Sequence, residues 1–300
     1  AGDVASRIAM EVVTERVTVG LVGLDNGEDV LDLLLAAALA ADEAIKAAAN
    51  GNGMGTTISA AVLWQDAHGR RWLVAVNIGD SRIYIRRNDG TVELLTRDDS
   101  LAQEKVEAGE MTEAEVESDK DVRRKIKTAL GWLTGGDLTD RNEIITEVFP
   151  GEVVFAVTDG VVDNLGAYSD RIVTIAQAAE GAQAVVDALV DEAKRVALSP
   201  ETDRECALSK PDDITAAAVM VFEDGDAQEP GDDELPAPSS VVVEDTAVRS
   251  AAEGEQQKVE AMGMPAVPAV DPVPERLPGK RKRGDYRGRR GSNTMRVQVS

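Results

Sequence analysis

The chain has 300 residues, with 55 acidic and 32 basic side chains and a formal net charge of -23 at pH 7. This charge argues against general nucleic-acid binding by the folded part, because phosphate repels an acidic surface. One cysteine, Cys206, excludes an intramolecular disulfide, and one histidine, His68, removes the usual zinc sites and Ser-His-Asp chemistry. The sequence shows neither a signal-like start nor a membrane-length apolar run, so we expect a cytoplasmic monomer with no transmembrane segment.

The first hundred residues change from a helical to a strand period near residue 50. Apolar residues at helical spacing predict helices over 2–17 and 28–49. Runs of β-branched and apolar residues separated by turn residues predict four strands, over 56–64, 71–78, 82–87 and 91–96. Consecutive strands at this spacing predict an antiparallel meander.

From residue 101 onward, the predicted helices and strands do not follow a regular alternation. A charged helical segment is predicted over 101–127, and Thr112 with Glu115 forms a capping-box pattern inside it. Further elements are predicted as a strand over 152–158, helices over 169–179 and 182–197, and a strand over 214–222. Strands and helices in blocks predict an α+β fold of antiparallel sheets faced by helices.

The composition changes after Phe222. We expect a domain over 1–223 and a disordered tail over 224–300, which is acidic and proline-rich at first and then basic. The basic end, 280–290, is interpreted as a weak, salt-sensitive site for an anionic partner. It could equally fold back onto the acidic domain or have no binding role.

Two short acidic motifs adjoin apolar strands. Thr158-Asp159-Gly160 follows one strand, and Asp212-Asp213 precedes another. Carboxylates held side by side at strand ends repel one another unless a cation lies between them. Mg²⁺ and Mn²⁺ prefer such oxygen ligands. The motifs therefore predict a carboxylate-bound metal site that activates water.

Further motifs accompany these two in a fixed order. They are Gly53-Met54-Gly55-Thr56-Thr57, Gly79-Asp80-Ser81-Arg82, Thr96-Arg97-Asp98-Asp99-Ser100 and Thr128-Ala129-Leu130-Gly131. The series resembles the metal-dependent PP2C (PPM) protein serine/threonine phosphatases, most of all the bacterial members, from residue 1 to about 222. The resemblance implies a four-layer αββα sandwich of two antiparallel β-sheets flanked by helices. It also implies hydrolysis of phosphoserine and phosphothreonine on phosphorylated proteins by a water activated at a two-metal carboxylate site.

The resemblance assigns metal ligands residue by residue. Asp159 and Asp212 match ligands of the first metal, and Asp98 and Asp163 match ligands of a third, weaker one, so two or three Mg²⁺ or Mn²⁺ ions are implied. An N-cap cluster is the other interpretation of Asp98. Asp80 and Arg82 are expected to make a buried turn contact.

One motif of the family does not occur in the sequence. It is Asp-Gly-x-Gly-Gly, whose aspartate bridges the two central metals, and an upstream phosphate-binding arginine is also missing. Because residues 1–7 resemble the segment directly after that motif in family members, we expect an N-terminally incomplete copy that is itself inactive or nearly so. The alternative is a degenerate, non-catalytic pseudophosphatase that binds phosphoproteins or other partners.

Overall fold

The computed structural model describes residues 2–134, 138, 143–199, 213–222, 246–251 and 293–298, the last two ranges by their backbone alone. The helices are α1 (Gly2–Gly20), α2 (Gly27–Ala49), α3 (Leu101–Glu107), α4 (Glu113–Ser118), α5 (Lys120–Arg123), α6 (Asp159–Leu165), α7 (Arg171–Ala178) and α8 (Gly181–Ala197). The strands are β1 (Ile58–Gln65), β2 (Arg71–Ile78), β3 (Arg82–Arg86), β4 (Val92–Leu94), β5 (Glu143–Val148), β6 (Val153–Val157), β7 (Ile214–Met220), β8 (Thr246–Ala251) and β9 (Asn293–Gln298).

The strands form two antiparallel sheets, as the predicted fold class requires. One sheet has the order β5-β2-β1-β9 and the other β4-β3-β6-β7-β8. One apolar core lies where α1 and α2 cover the first sheet, and a second where α6, α7 and α8 cover the other. A third cluster includes Leu73, Ile83 and Val154, from strands of both sheets, and fills the space between them. The four-layer αββα sandwich is confirmed.

Local sequence signals fix the ends of the helices. Asn26 caps α2 by accepting a hydrogen bond from the backbone N–H of Asp29 at 2.9 Å, and Asn50 ends that helix in the left-handed conformation at φ 46°. The capping box of Thr112 and Glu115 is present in both directions at the start of α4. Helix positions predicted from periodicity therefore agree with the structure to within a few residues.

The predicted meander is wrong at its centre. β1 pairs with β2 and β3 pairs with β4, but β2 and β3 belong to different sheets. The chain crosses between the sheets at Gly79, which has φ 107° and packs so closely on Thr57 that a Cβ atom would lie 2.3 Å from the threonine Cγ2. A left-handed glycine in this tight contact turns the chain out of the first sheet.

Two elements near the acidic motifs were not predicted. β5 adds an outer strand to the first sheet beside β2. α6 begins at Asp159, where the sequence suggested only the end of a strand. Its seven residues are too short for a helical period to be recognised in the sequence.

Two short strands come from the segment that was expected to be a disordered tail. β8 pairs with β7, and β9 pairs with β1, so each sheet gains an outer strand. An open sheet edge offers unpaired backbone donors and acceptors, which favour such additions. The remainder of the tail, with its basic stretch 280–290, lies outside the described residues. No helix among the described residues is long and apolar enough to cross a membrane.

Candidate metal centre

The structure brings the two acidic motifs together. The backbone N–H of Thr158 donates to the carbonyl of Thr215 at 3.1 Å, and the N–H of Thr215 donates to Oγ1 of Thr158 at 3.2 Å. A Cβ atom on Gly160 would lie 2.3 Å from the carbonyl oxygen of Asp213. The Asp-Gly sequence is therefore needed sterically, because only glycine lets the start of α6 approach the start of β7 so closely.

Four carboxylates influence one another at this end of the sandwich. Burial raises the pKa of Asp80 to about 7, and three other aspartates add to the shift. In order of effect they are Asp159, Asp98 and Asp163. Each of these charges makes the ionisation of Asp80 less favourable.

Two of the four carboxylates form ion pairs with buried arginines. Arg82 donates from Nε and Nη2 to the two oxygens of Asp98, at 2.9 and 2.8 Å. Arg123 donates from Nη2 to Asp163 at 2.9 Å. Burial alone would lower the pKa of Arg82, but the charges of Asp98 and Tyr84 and the hydrogen bonds to both side chains together outweigh it and raise the pKa. Both arginines remain positively charged partners of their aspartates.

Three of the predicted ligands lie among the described residues. Asp159, Asp98 and Asp163 are each close enough to Asp80 to raise its pKa. Asp212 lies outside the described residues, although its neighbour Asp213 is next to Gly160. Within the N-cap cluster Asp98-Asp99-Ser100, the residue that caps α3 is Ser100, which accepts from the N–H of Gln103 at 3.2 Å, while Asp98 pairs with Arg82.

Sequence reasoning missed two members of the cluster. Asp80 was expected only in a buried turn contact with Arg82, whereas burial and three other acids raise its pKa and Arg82 pairs with Asp98. Arg123 belongs to the charged helical segment predicted over 101–127, yet it is only 6% exposed. No local sequence signal marks either residue, because the acids that act on Asp80 and the partner of Arg123 are distant along the chain.

The donor set fits a hard divalent cation in its chemistry, since every candidate ligand is a carboxylate and the negative charge is in excess. It is incomplete within the described part of the chain, where no three acidic, histidine or cysteine side chains come close enough to hold one ion. Asp159 and Asp163, one helical turn apart on α6, are the described residues best suited to contribute ligands.

Comparison with known proteins identifies the family. The profile described as Protein phosphatase 2C matches residues 1–177, and the chain belongs to this family. A protein phosphatase 2C-type sequence of Streptococcus pyogenes serotype M6 is 35% identical over 123 residues, which are 41% of this chain and 45% of that protein. The matched region thus spans less than half the length of this relative.

Solved structures support the same fold. The serine/threonine phosphatase PstP/Ppp of Mycobacterium tuberculosis is 27% identical, with a TM-score of 0.56 over 74% of this chain and 83% of that chain. A PstP catalytic domain in complex with two manganese ions is 24% identical, with a TM-score of 0.53 over 74% of this chain and 82% of that chain. The sandwich is thus the fold of bacterial serine/threonine phosphatases.

Proposed function

We propose that the carboxylate end of the sandwich is a phosphatase site, which hydrolyses phosphoserine and phosphothreonine on proteins with a metal-activated water. The observation that carries this proposal is the meeting of the two acidic motifs at Gly160 and Asp213, where Asp159, Asp98 and Asp163 oppose the ionisation of Asp80 although Arg82 and Arg123 pair with two of them. Carboxylates that are partly or fully buried near one another are costly unless a cation or proton neutralises them. Family membership supplies the reaction class.

The proposed ligands come from both acidic motifs. Asp159 and Asp212 would hold a first Mg²⁺ or Mn²⁺, and Asp98 and Asp163 a further, weaker ion. When bound, the ions would lower the pKa of a water and offset charge on the transferring phosphoryl oxygens. The related PstP domain in complex with two manganese ions supports this choice of metal.

The chain's own residues would hold this site in a fixed shape. Gly160 lets the two motifs meet, and Arg82 orients Asp98 through both carboxylate oxygens. Arg123 competes for Asp163, because its guanidinium already offers that carboxylate a positive charge at 2.9 Å. We therefore expect a third ion to bind weakly.

The second candidate is a pseudophosphatase that keeps the fold and binds phosphoproteins. It is favoured by the lack of an Asp-Gly-x-Gly-Gly motif within residues 1–300. Under either candidate we expect the 300-residue chain alone to release phosphate slowly or not at all.

The test is phosphate release from a small aryl phosphate and a phosphothreonine peptide, with and without Mn²⁺. It is run on the 300-residue chain and on the same chain extended upstream to the start of its reading frame. Mn²⁺-dependent release by the extended protein supports the phosphatase. No release by either protein, with both shown to be folded by circular dichroism, supports the pseudophosphatase. Enzyme-like rates from the 300-residue chain would contradict the expectation that it is inactive alone.

A further inference from the structure

An exposed tryptophan lies on a rigid loop near the carboxylate cluster. Trp132 is 51% exposed, whereas Trp64 is 4% exposed and belongs to the core. A half-exposed tryptophan ring leaves apolar surface in contact with water, which is unfavourable. Burying that surface under another group is therefore favourable. Trp132 therefore marks a candidate contact surface.

Side chains of α2 hold the loop that carries Trp132 in place. Asp42, which is 1% exposed, accepts from the backbone N–H of Gly131 at 2.6 Å and of Leu133 at 3.2 Å. Lys46 binds Asp42 at 2.6 Å and donates to the carbonyl of Leu133 at 2.7 Å. The residues on both sides of Trp132 are thus held by one buried carboxylate, so ordering the loop costs little entropy on binding.

The indole ring itself is also held in place. A Cβ atom on Gly55 would lie 2.7 Å from Cε2 and 2.8 Å from Nε1 of Trp132, so the ring lies directly against the glycine backbone. Leu130 and Thr56 exchange backbone hydrogen bonds of 2.9 and 3.1 Å beside it. The part of the ring that Gly55 does not cover is presented to solvent in a fixed orientation.

One backbone and one side-chain hydrogen bond tie this loop to the carboxylate end. Lys127, five residues before Trp132, donates its N–H to the carbonyl of Asp99 at 2.7 Å, next to Asp98. Thr57, next to Thr56, has its Oγ1 3.1 Å from Oγ of Ser81, next to Asp80. With consecutive Cα atoms 3.8 Å apart, the indole lies on the order of 20 Å or less from the carboxylates. An extended peptide spans that distance in about six residues.

We propose that Trp132 is a specificity-determining contact that binds a lysine or arginine side chain three to six residues from the phosphorylated residue of a peptide. An aromatic face attracts a cation, and the net charge of -23 draws basic peptides to the protein. This proposal rests on the proposed function in one respect: the phosphorylated residue of the peptide must bind at the carboxylate end of the sandwich. It applies to the phosphatase and to the pseudophosphatase alike.

The test uses labelled peptides in which a non-hydrolysable phosphonate replaces the phosphate of phosphothreonine, so that turnover does not matter. One set carries a single arginine scanned through positions three to six on each side, and a matched set carries alanine there. Binding to the full 300-residue chain with Mn²⁺ is measured by fluorescence anisotropy. We expect about two- to five-fold tighter binding for the best arginine peptide than for its alanine partner.

Three variants separate a specific contact from a general loss of folding. Trp132→Ala should remove the arginine preference, and Trp132→Lys should reverse it by placing like charges together. Phe149→Ala removes an aromatic side chain of similar exposure, 49%, from the turn before β6, at the opposite end of that strand from Asp159, and should keep the preference. Circular dichroism and thermal melting check that each variant is folded.

The outcomes distinguish this proposal from the proposed function. A preference that survives Trp132→Ala, or equal affinity of the arginine and alanine peptides, overturns the Trp132 contact. The phosphate-release assay decides the enzyme separately. A Trp132-dependent arginine preference without phosphate release keeps the contact and rejects the phosphatase.

Discussion

β6 has a buried or partly buried acidic group at each end, and the two ends differ in how their charge is balanced. Before the strand, Glu152 accepts from the backbone N–H of Phe149 at 2.9 Å and pairs with Arg87 at 3.3 Å. Arg87 also pairs with Glu93 and donates to the carbonyl of Glu147. After the strand, Asp159 joins a cluster in which the pKa of Asp80 is raised to about 7.

This difference distinguishes a buried acid with a purely structural role from acids at a candidate functional site. Glu152 connects the β5–β6 turn to an arginine from β3's end, and its hydrogen bonds satisfy local backbone and side-chain donors. At the other end, Arg82 pairs with Asp98 and Arg123 with Asp163, yet the pKa of Asp80 is still raised, so ionising Asp80 costs folding energy in the absence of a cation. An unbalanced cluster retained at such a cost is a candidate functional site.

The largest expected effect comes from removing the buried arginine of the cluster. Arg82→Ala leaves Asp98 buried and unpaired, so we expect the free energy of unfolding to fall by about 3–5 kcal/mol. Urea denaturation measures the loss. Arg87→Ala at the other end of β6 is the matched control and should cost clearly less, because Arg87 is more exposed. Equal losses of unfolding free energy for Arg82→Ala and Arg87→Ala would show that the arginines at the two ends of β6 contribute equally to stability.

The next effect is a stabilisation that depends on pH. The pKa of Asp80 is about 7 in the folded protein and 3.8 in a model peptide, so folding favours the neutral acid. Its contribution to stability is full below about pH 4 and is lost as pH rises through 7. Asp80→Asn should therefore stabilise the metal-free protein at pH 8, by about 2–4 kcal/mol, and much less at pH 4.

Denaturation curves of wild type and Asp80→Asn at both pH values, with EDTA present, measure this effect. Mn²⁺ added at pH 8 should reduce the difference in unfolding free energy between Asp80→Asn and wild type. A bound cation makes the ionised form of Asp80 less unfavourable. A gain from Asp80→Asn that is the same at pH 4 and pH 8 would indicate a packing effect and would contradict the charge argument.

Metal binding gives the third effect. If Asp159 is a ligand, Mn²⁺ at 100 times its Kd should stabilise the wild-type protein by about 2.7 kcal/mol, and Asp159→Asn should lose that gain. Asp212→Asn should behave in the same way, and either change should abolish phosphate release in an active form of the protein. Thermal melting with and without Mn²⁺ measures the gain, and Asp89→Asn, on an exposed turn, is the control. Full Mn²⁺ stabilisation of Asp159→Asn would reject this ligand.

The sequence could predict what depends on neighbours along the chain. Helix α2 follows from its apolar period and its caps at Asn26 and Asn50, and the approach of the motifs around Asp159 and Asp213 follows from their place at strand ends. The four-layer sandwich and the joining of Asp98 and Asp163 to one cluster came from the resemblance to the family.

The rest depends on long-range contacts that no local pattern records. The crossing at Gly79 separates two strands that look like consecutive members of a meander, because turn residues serve hairpins and sheet crossings equally. Arg123 looks like one charge among many, and only the fold brings it within 2.9 Å of Asp163, 40 residues away. Asp80 was underestimated for the same reason, since its raised pKa reflects burial in the fold first and then three acids that are distant in sequence.

The smallest effect tests the balanced end of β6. Glu152→Gln keeps an oxygen that can accept from the N–H of Phe149 but removes the charge that pairs with Arg87. Arg87 is partly solvated and retains Glu93, so we expect a loss of only about 1 kcal/mol in unfolding free energy. The loss should not change when Mn²⁺ is added, because Glu152 lies at the opposite end of β6 from Asp159. A loss as large as that of Arg82→Ala, or one that Mn²⁺ alters, would mean that charge balance does not separate the structural end of this strand from the functional one.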